Sequence, residues 1–127
     1  MWPDIELAVM KGMRTHLAGV RVTDEVPPKV ETLVPVVVVQ VAGGADSHTS
    51  DTATIDVEAF AADRAAMWQL AERARQAVHA LAASVAGEVV IDTVDTLQRP
   101  VPIPYGNPAV RRAIATYTLT TRASTRA

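Results

Sequence analysis

A chain of 127 residues has room for one domain with a buried core and not for two. Its 49% hydrophobic and 20% charged residues are the balance of a folded protein, and its 4% aromatic content means the core is built from Val, Ala, Leu and Ile. Twelve Lys and Arg against fourteen Asp and Glu give a net charge of -2, which argues against a dedicated nucleic-acid binder, and the lack of cysteine excludes disulfides, thiolate metal sites and Cys nucleophiles.

The absence of cysteine fits a reducing compartment. The opening Met-Trp-Pro-Asp-Ile-Glu has no basic region followed by an apolar run, so no signal peptide is expected. The longest apolar stretch, around Val36 to Val39, is far short of the roughly 20 residues that span a bilayer, so no membrane association is expected.

In chain order, Pro3 and Asp4 open a first helix, with Ile5, Val9 and Met13 at helical spacing and Trp2 and Leu17 at the margins of that face. Leu7 and Met10 fall on its back. Gly12 lies on the inward side and suggests close approach of another backbone; Gly19 is expected to end the helix. Val20 to Thr23 reads as a short strand, followed by an irregular stretch containing Pro27 and Pro28. Leu33 to Ala42 is β-branched on both faces, which predicts a strand buried from two sides, with Pro35 near its beginning or on an unpaired edge. Gly43 to Ser50 reads as a polar mobile loop, represented by Gly43, Gly44, Asp46, His48 and the flanking Asp51.

Asp51 to Phe60 alternates, with Ala53, Ile55, Val57 and Ala59 on one face and Thr52, Thr54, Asp56 and Glu58 on the other. Ala62 to Ala83 carries a helical stripe of Met67, Leu70, Ala74, Ala77, Val78 and Leu81, with Glu72, Gln76 and His79 away from it. Val89 to Leu97 reads as a strand, Gln98 to Pro108 as a proline-rich connector, and Val110 to Arg122 as a closing strand with Ala113, Ala115, Tyr117 and Leu119 on one face. The expected fold is one α+β domain over 1–127. Its order is α-β-β-β-α-β-β, a mostly antiparallel sheet of four to five strands with both helices on one face.

No catalytic or metal constellation emerges, and no cofactor is expected. His16 and His79 lack the paired spacing of a helical metal site. Asp46, His48 and Asp51 are close in sequence but lack the further oxygen ligands of a calcium loop. Ser47, Thr49 and Ser50 sit in no nucleophile elbow, and Gly43-Gly44 leads into no phosphate-binding motif. The arginines of the long helix and last strand fit either a solvated surface with local ion pairs or partner recognition, in which Arg is over-represented. Trp68 stands about 100° from Met67 around the helix. It is either a core-edge residue or an interface anchor.

The combination resembles the tail terminator proteins of long-tailed (siphovirus-type) bacteriophages, particularly those of actinobacteria. The resemblance rests on the N-terminal helix leading into a strand and a Pro-containing loop, on DVEAFAADRAAMWQLAERARQAVHAL (56–81), and on VDTLQRPVPIPYGNPAVRRAIATYTLTTR (94–122). It implies a non-enzymatic structural protein of the virion tail or neck, assembled in the bacterial host cytoplasm. Such a protein forms a homo-oligomeric ring, six copies typically, that caps the tail tube, stops its polymerisation and presents a head-joining surface. Partners are the tail tube protein and the head–tail connector or completion protein, and DNA passes through the lumen without sequence-specific binding. On this reading Trp68 and Arg75 on the long helix, with Arg99, Pro102, Pro104, Tyr105, Arg111 and Arg112, are candidate interface residues. The runner-up is a head-completion or connector ring subunit of the neck. A small ligand-binding or enzymatic domain would need a polar pocket, and an inhibitor or adaptor would be a monomer.

Overall fold

The computed structural model describes residues 4–46, 51–86 and 89–123. Helix α1 (Ile5–Arg14) is followed by β1 (Arg21–Thr23), a short 3-10 turn (Val30–Thr32), β2 (Val36–Asp46) and β3 (Asp51–Ala61). Helix α2 (Arg64–His79) then leads to β4 (Ser84–Ala86), β5 (Val89–Ile103) and β6 (Arg111–Ala123). The six strands form one sheet in the order β1-β2-β3-β6-β5-β4. Pairing is antiparallel throughout except between β1 and β2, so the sheet is mixed. The expectation of four to five strands missed β4, whose three residues are too few to carry a periodic signal.

Both helices start on aspartate. The Asp4 carboxylate accepts from the Leu7 N–H at 3.0 Å and the Asp63 carboxylate from the Ala66 N–H at 2.8 Å, each satisfying a donor left free by the helix geometry. Asp4 is thus the cap of α1 rather than part of it, and α1 stops at Arg14, before Gly19.

The main core lies between the helices and one face of the sheet. Val9 and Met13 of α1 and Met67, Leu70, Ala74, Ala77 and Val78 of α2 pack with Val37, Val39, Ile55, Val57, Ala115, Tyr117 and Leu119. The small alanines of α2 let it sit close on the strands. Met10 joins this core at 7% exposure, against its expected place on the back of α1, whereas Leu7 is 40% exposed. Gly12 faces a side chain rather than a backbone: a Cβ there would collide with a methyl of Leu81. His16 lies beyond the end of α1 and is exposed. His79, expected on the polar side, is half-buried; its Nε2 is 2.7 Å from the Thr96 hydroxyl and its ring meets Tyr117 edge-on.

A second cluster covers part of the opposite face. Val36, Val38 and Phe60 of the sheet are sealed by Val30 and Val110, with Val26, Leu33, Val34 and Tyr105 packed at the margin. The covering residues come from the β1–β2 and β5–β6 connectors. This explains the unbroken valine run: Val36, Val37, Val38 and Val39 are all fully buried, alternately under the helices and under the connectors.

Helix α2 is shorter at both ends than the expected 62–83, and two strands run further than expected. The backbone of Gly43, Gly44 and Asp46 is strand, paired with β3 down to Asp46 opposite Asp51, so these residues and Asp51 do not form a loop; His48 lies outside the described residues. Strand β5 continues through the first half of the proline-rich connector, with Val101, Pro102 and Ile103 opposite Ile114, Ala113 and Arg112. β4 covers only Val89 to Ile91 of β5, so beyond Ile91 the outer side of β5 pairs with no described strand. A strand edge is where prolines, lacking an N–H, are tolerated. No helix among the described residues is long and apolar enough to cross a membrane.

Candidate functional site

Helix α2 runs across β3, β6 and β5, which puts one of its exposed sides along the outer strand β5. Arg64, Trp68, Glu72 and Arg75 succeed one another on that side at spacings of three or four residues, as a single helix face requires. Trp68, Glu72 and Arg75 enclose a shallow concavity with Arg99 and Pro100 of β5. Next to it, Arg64 and Met67 form a second concavity of about 370 Å³ with Pro102, Ile103, Pro104, Tyr105, Pro108, Val110, Arg111 and Arg112. The Arg64 guanidinium lies 5.9 Å from the Trp68 ring, where the two hollows meet.

The fold therefore gathers Trp68, Arg75 and Arg99 into one hollow and Pro102, Pro104, Tyr105, Arg111 and Arg112 into its neighbour. Trp68 is 37% exposed, with one side toward solvent. Arg64 is one of the long-helix arginines that the sequence offers for partner recognition, and Pro100 falls within its proline-rich connector.

Electrostatics along the seam are uneven. Arg75 Nε lies 3.2 Å from Glu72 Oε2, and this contact holds the Glu72 carboxyl below its ordinary value. Arg112 donates to Glu58 Oε1 at 3.3 Å and to the Pro104 carbonyl at 2.9 Å, and its guanidinium lies 5.2 Å from the Tyr105 ring. Tyr105 in turn meets Phe60 edge-on at 5.2 Å, which ties the β5–β6 connector to the second core cluster. Burial pushes the Glu58 carboxyl above its ordinary value, against the opposing pull of Arg112. Among the described residues Arg64, Arg99 and Arg111 make no ion pair, which leaves the seam with uncompensated positive charge.

Proline rings and an aromatic face offer apolar area at low ordering cost, and free guanidiniums offer bidentate donors to carboxylates. Among the described residues no group of three or more His, Cys, Asp or Glu side chains is placed to hold a metal ion.

Comparison with known proteins agrees with a structural role. A chain of the solved "Virion of native gene transfer agent (GTA) particle" has a similar fold, with a TM-score of 0.58, 16% identity, and coverage of 93% of this chain and 94% of that one. No curated protein sequence matches the chain. The profile of the family described as "Phage tail termination protein" matches residues 1–125, and the chain belongs to that family of structural phage tail proteins.

Proposed function

We infer that this protein closes into a ring, of six copies, on the end of a finished phage tail tube, where it stops further polymerisation and offers the surface to which the head joins. The observation that carries the reading is the family match over nearly the whole chain, residues 1–125. The likeness in fold to a chain of a gene transfer agent virion supports it. The exposed Trp68 and the proline-rich flank of β5 supply contact area of the kind that anchors interfaces.

A ring requires a heterologous interface, in which one patch meets a different patch on the next copy and the rotation closes. Each junction needs to bury at least about 1,000 Å² to be stable. The near-neutral charge of -2 suits a passage through which DNA moves without being held. The part of the chain that follows the exposed Val41, Ala42 and Gly43 of β2, up to β3, is the part we assign to contact with the tube or the ring axis.

Loss of the protein during phage assembly tests the reading. Overlong tubes are expected. Tails of normal length attached to leaking or unjoined heads would assign the protein instead to head completion. Deleting 47–50 is expected to alter tail length or head joining, and unaltered particles would remove the hairpin assignment.

A further inference from the structure

The sheet has two different ends. At the β5 end is the groove of Trp68, Arg99 and Pro100, which Glu72 and its ion-pair partner Arg75 also line, with the Arg64 guanidinium 5.9 Å from the indole. At the other end, beyond β1, runs the segment Asp24-Glu25-Val26-Pro27-Pro28. Its shape is set locally. The Thr23 hydroxyl donates to the Glu25 carbonyl at 2.6 Å and accepts from the Glu25 N–H at 3.0 Å, and Val26 packs against the second core cluster. The chain bends at Asp24 and Glu25 and turns at Pro28 and Lys29, where Lys29 has a φ of 54°, and each proline ring fixes its own φ. Asp24, Glu25, Pro28 and the following Glu31 are exposed, and among the described residues none of these carboxylates has an ion-pair partner. Lys29 is the single cation between Asp24 and Glu31.

We propose that the acidic, proline-containing segment Asp24–Pro28 of one copy seats in the Trp68–Arg99 groove of the next. An indole face flanked by guanidiniums is the receptor chemistry for such a segment: proline rings stack on the aromatic, and the carboxylates meet the free Arg64 and Arg99. The segment is already rigid, so docking it costs little ordering entropy. The segment follows β1 and the groove borders β5, four places away in the strand order, and the pairing proposed is between copies. The pairing is head to tail and continues until a ring closes. This names the junction of the proposed ring and rests on that reading.

The chain has no cysteine, which gives a clean background for cross-linking. Glu25→Cys and Arg99→Cys, both at exposed positions, are combined in one chain, assembled with tail tubes and bridged with a short bis-maleimide. A covalent ladder extending beyond the dimer is expected from the double variant and from neither single variant. Separately, Arg99→Glu and Glu25→Arg each weaken assembly by about tenfold or more, and an equimolar mixture of the two restores it, because the reversed charges complement across the junction. Melting temperatures close to the parent's verify that each variant is folded.

If rings form while the double variant gives no more cross-linked product than the singles, the groove assignment is overturned and the ring reading stands. A ladder that stops at the dimer keeps the groove pairing and refutes the ring. A parent chain that remains monomeric in the presence of tubes refutes both.

Discussion

Replacing Arg112 with alanine removes three contacts at once: the Glu58 carboxylate, the Pro104 carbonyl and the face of Tyr105. The Arg112 and Glu58 side chains are 20% and 12% exposed, so the pair is largely out of water. Breaking a fully buried ion pair by removing one partner costs about 3–5 kcal/mol, because the other charge stays buried without compensation. Residual solvent access places this site near the lower end, and loss of the cation–π contact adds to it, for a total of about 3 kcal/mol. For 127 residues that corresponds to a fall in melting temperature of about 10 °C.

The penalty also has a pH signature. Burial already holds the Glu58 pKa above its ordinary 4.5, and Arg112 is the main influence pulling it back down. Without Arg112 the folded-state pKa rises further. A carboxyl with a raised folded pKa gives a contribution that is complete below the unfolded pKa and lost as pH rises through the folded one. The cost of Arg112→Ala relative to wild type therefore shrinks as pH falls from 7 toward the ordinary carboxylate value. Urea denaturation of both proteins across that range measures it. Glu58→Gln in the Arg112→Ala background is expected to recover most of the loss at pH 7. A penalty under about 0.5 kcal/mol, within the range of an exposed pair, or one independent of pH, would refute the account.

Gly12→Ala gains about 1 kcal/mol of helix propensity but drives a methyl into Leu81, and overpacking costs about 1–3 kcal/mol, so a small net loss is expected in thermal melts. That loss shrinks in a Leu81→Val background. Tyr117 is fully buried and its hydroxyl has no partner among the described residues, so Tyr117→Phe is expected to be neutral or stabilising by up to about 1 kcal/mol at pH 7. Burial pushes its hydroxyl up to about 12 from 10.0, so wild-type stability falls as pH rises from 10 through 12 and the variant lacks that loss. A drop above about 1 kcal/mol at pH 7 would mean that the hydroxyl is in fact bonded. Trp68→Ala is expected to weaken ring formation by about 2 kcal/mol per junction, with little change in melting temperature because the side chain is partly exposed. Lowered melting with normal assembly would assign Trp68 to the core.

Wherever local periodicity was strong, the sequence reading and the structure coincide. The stripe of Met67, Leu70, Ala74, Ala77 and Val78 is buried as its helical spacing requires, and so are the alternating residues of β3 and β6. Where the reading failed, long-range pairing overrode composition. Glycine and aspartate suggested a loop at 43–46, yet β3 supplies a partner for that backbone; Glu58 falls by alternation on the face with Thr52, Thr54 and Asp56, yet β6 lays Arg112 beside it, with Tyr105 of the β5–β6 connector against the guanidinium.

The sequence by itself determined both helices, five of the six strands and the two-sided burial within Leu33 to Ala42 that Val36 to Val39 realise, because each follows from spacing and side-chain chemistry within one segment. Only the tertiary structure decided that β5 lies outside β6, with most of its outer side paired with no described strand, and that α2 runs beside it. Those two facts let Pro100 and Pro102 sit in a strand, and they bring Trp68 against Arg99 across residues distant in the chain. A side-chain period specifies which face is inward; it carries no information about which strand becomes an edge.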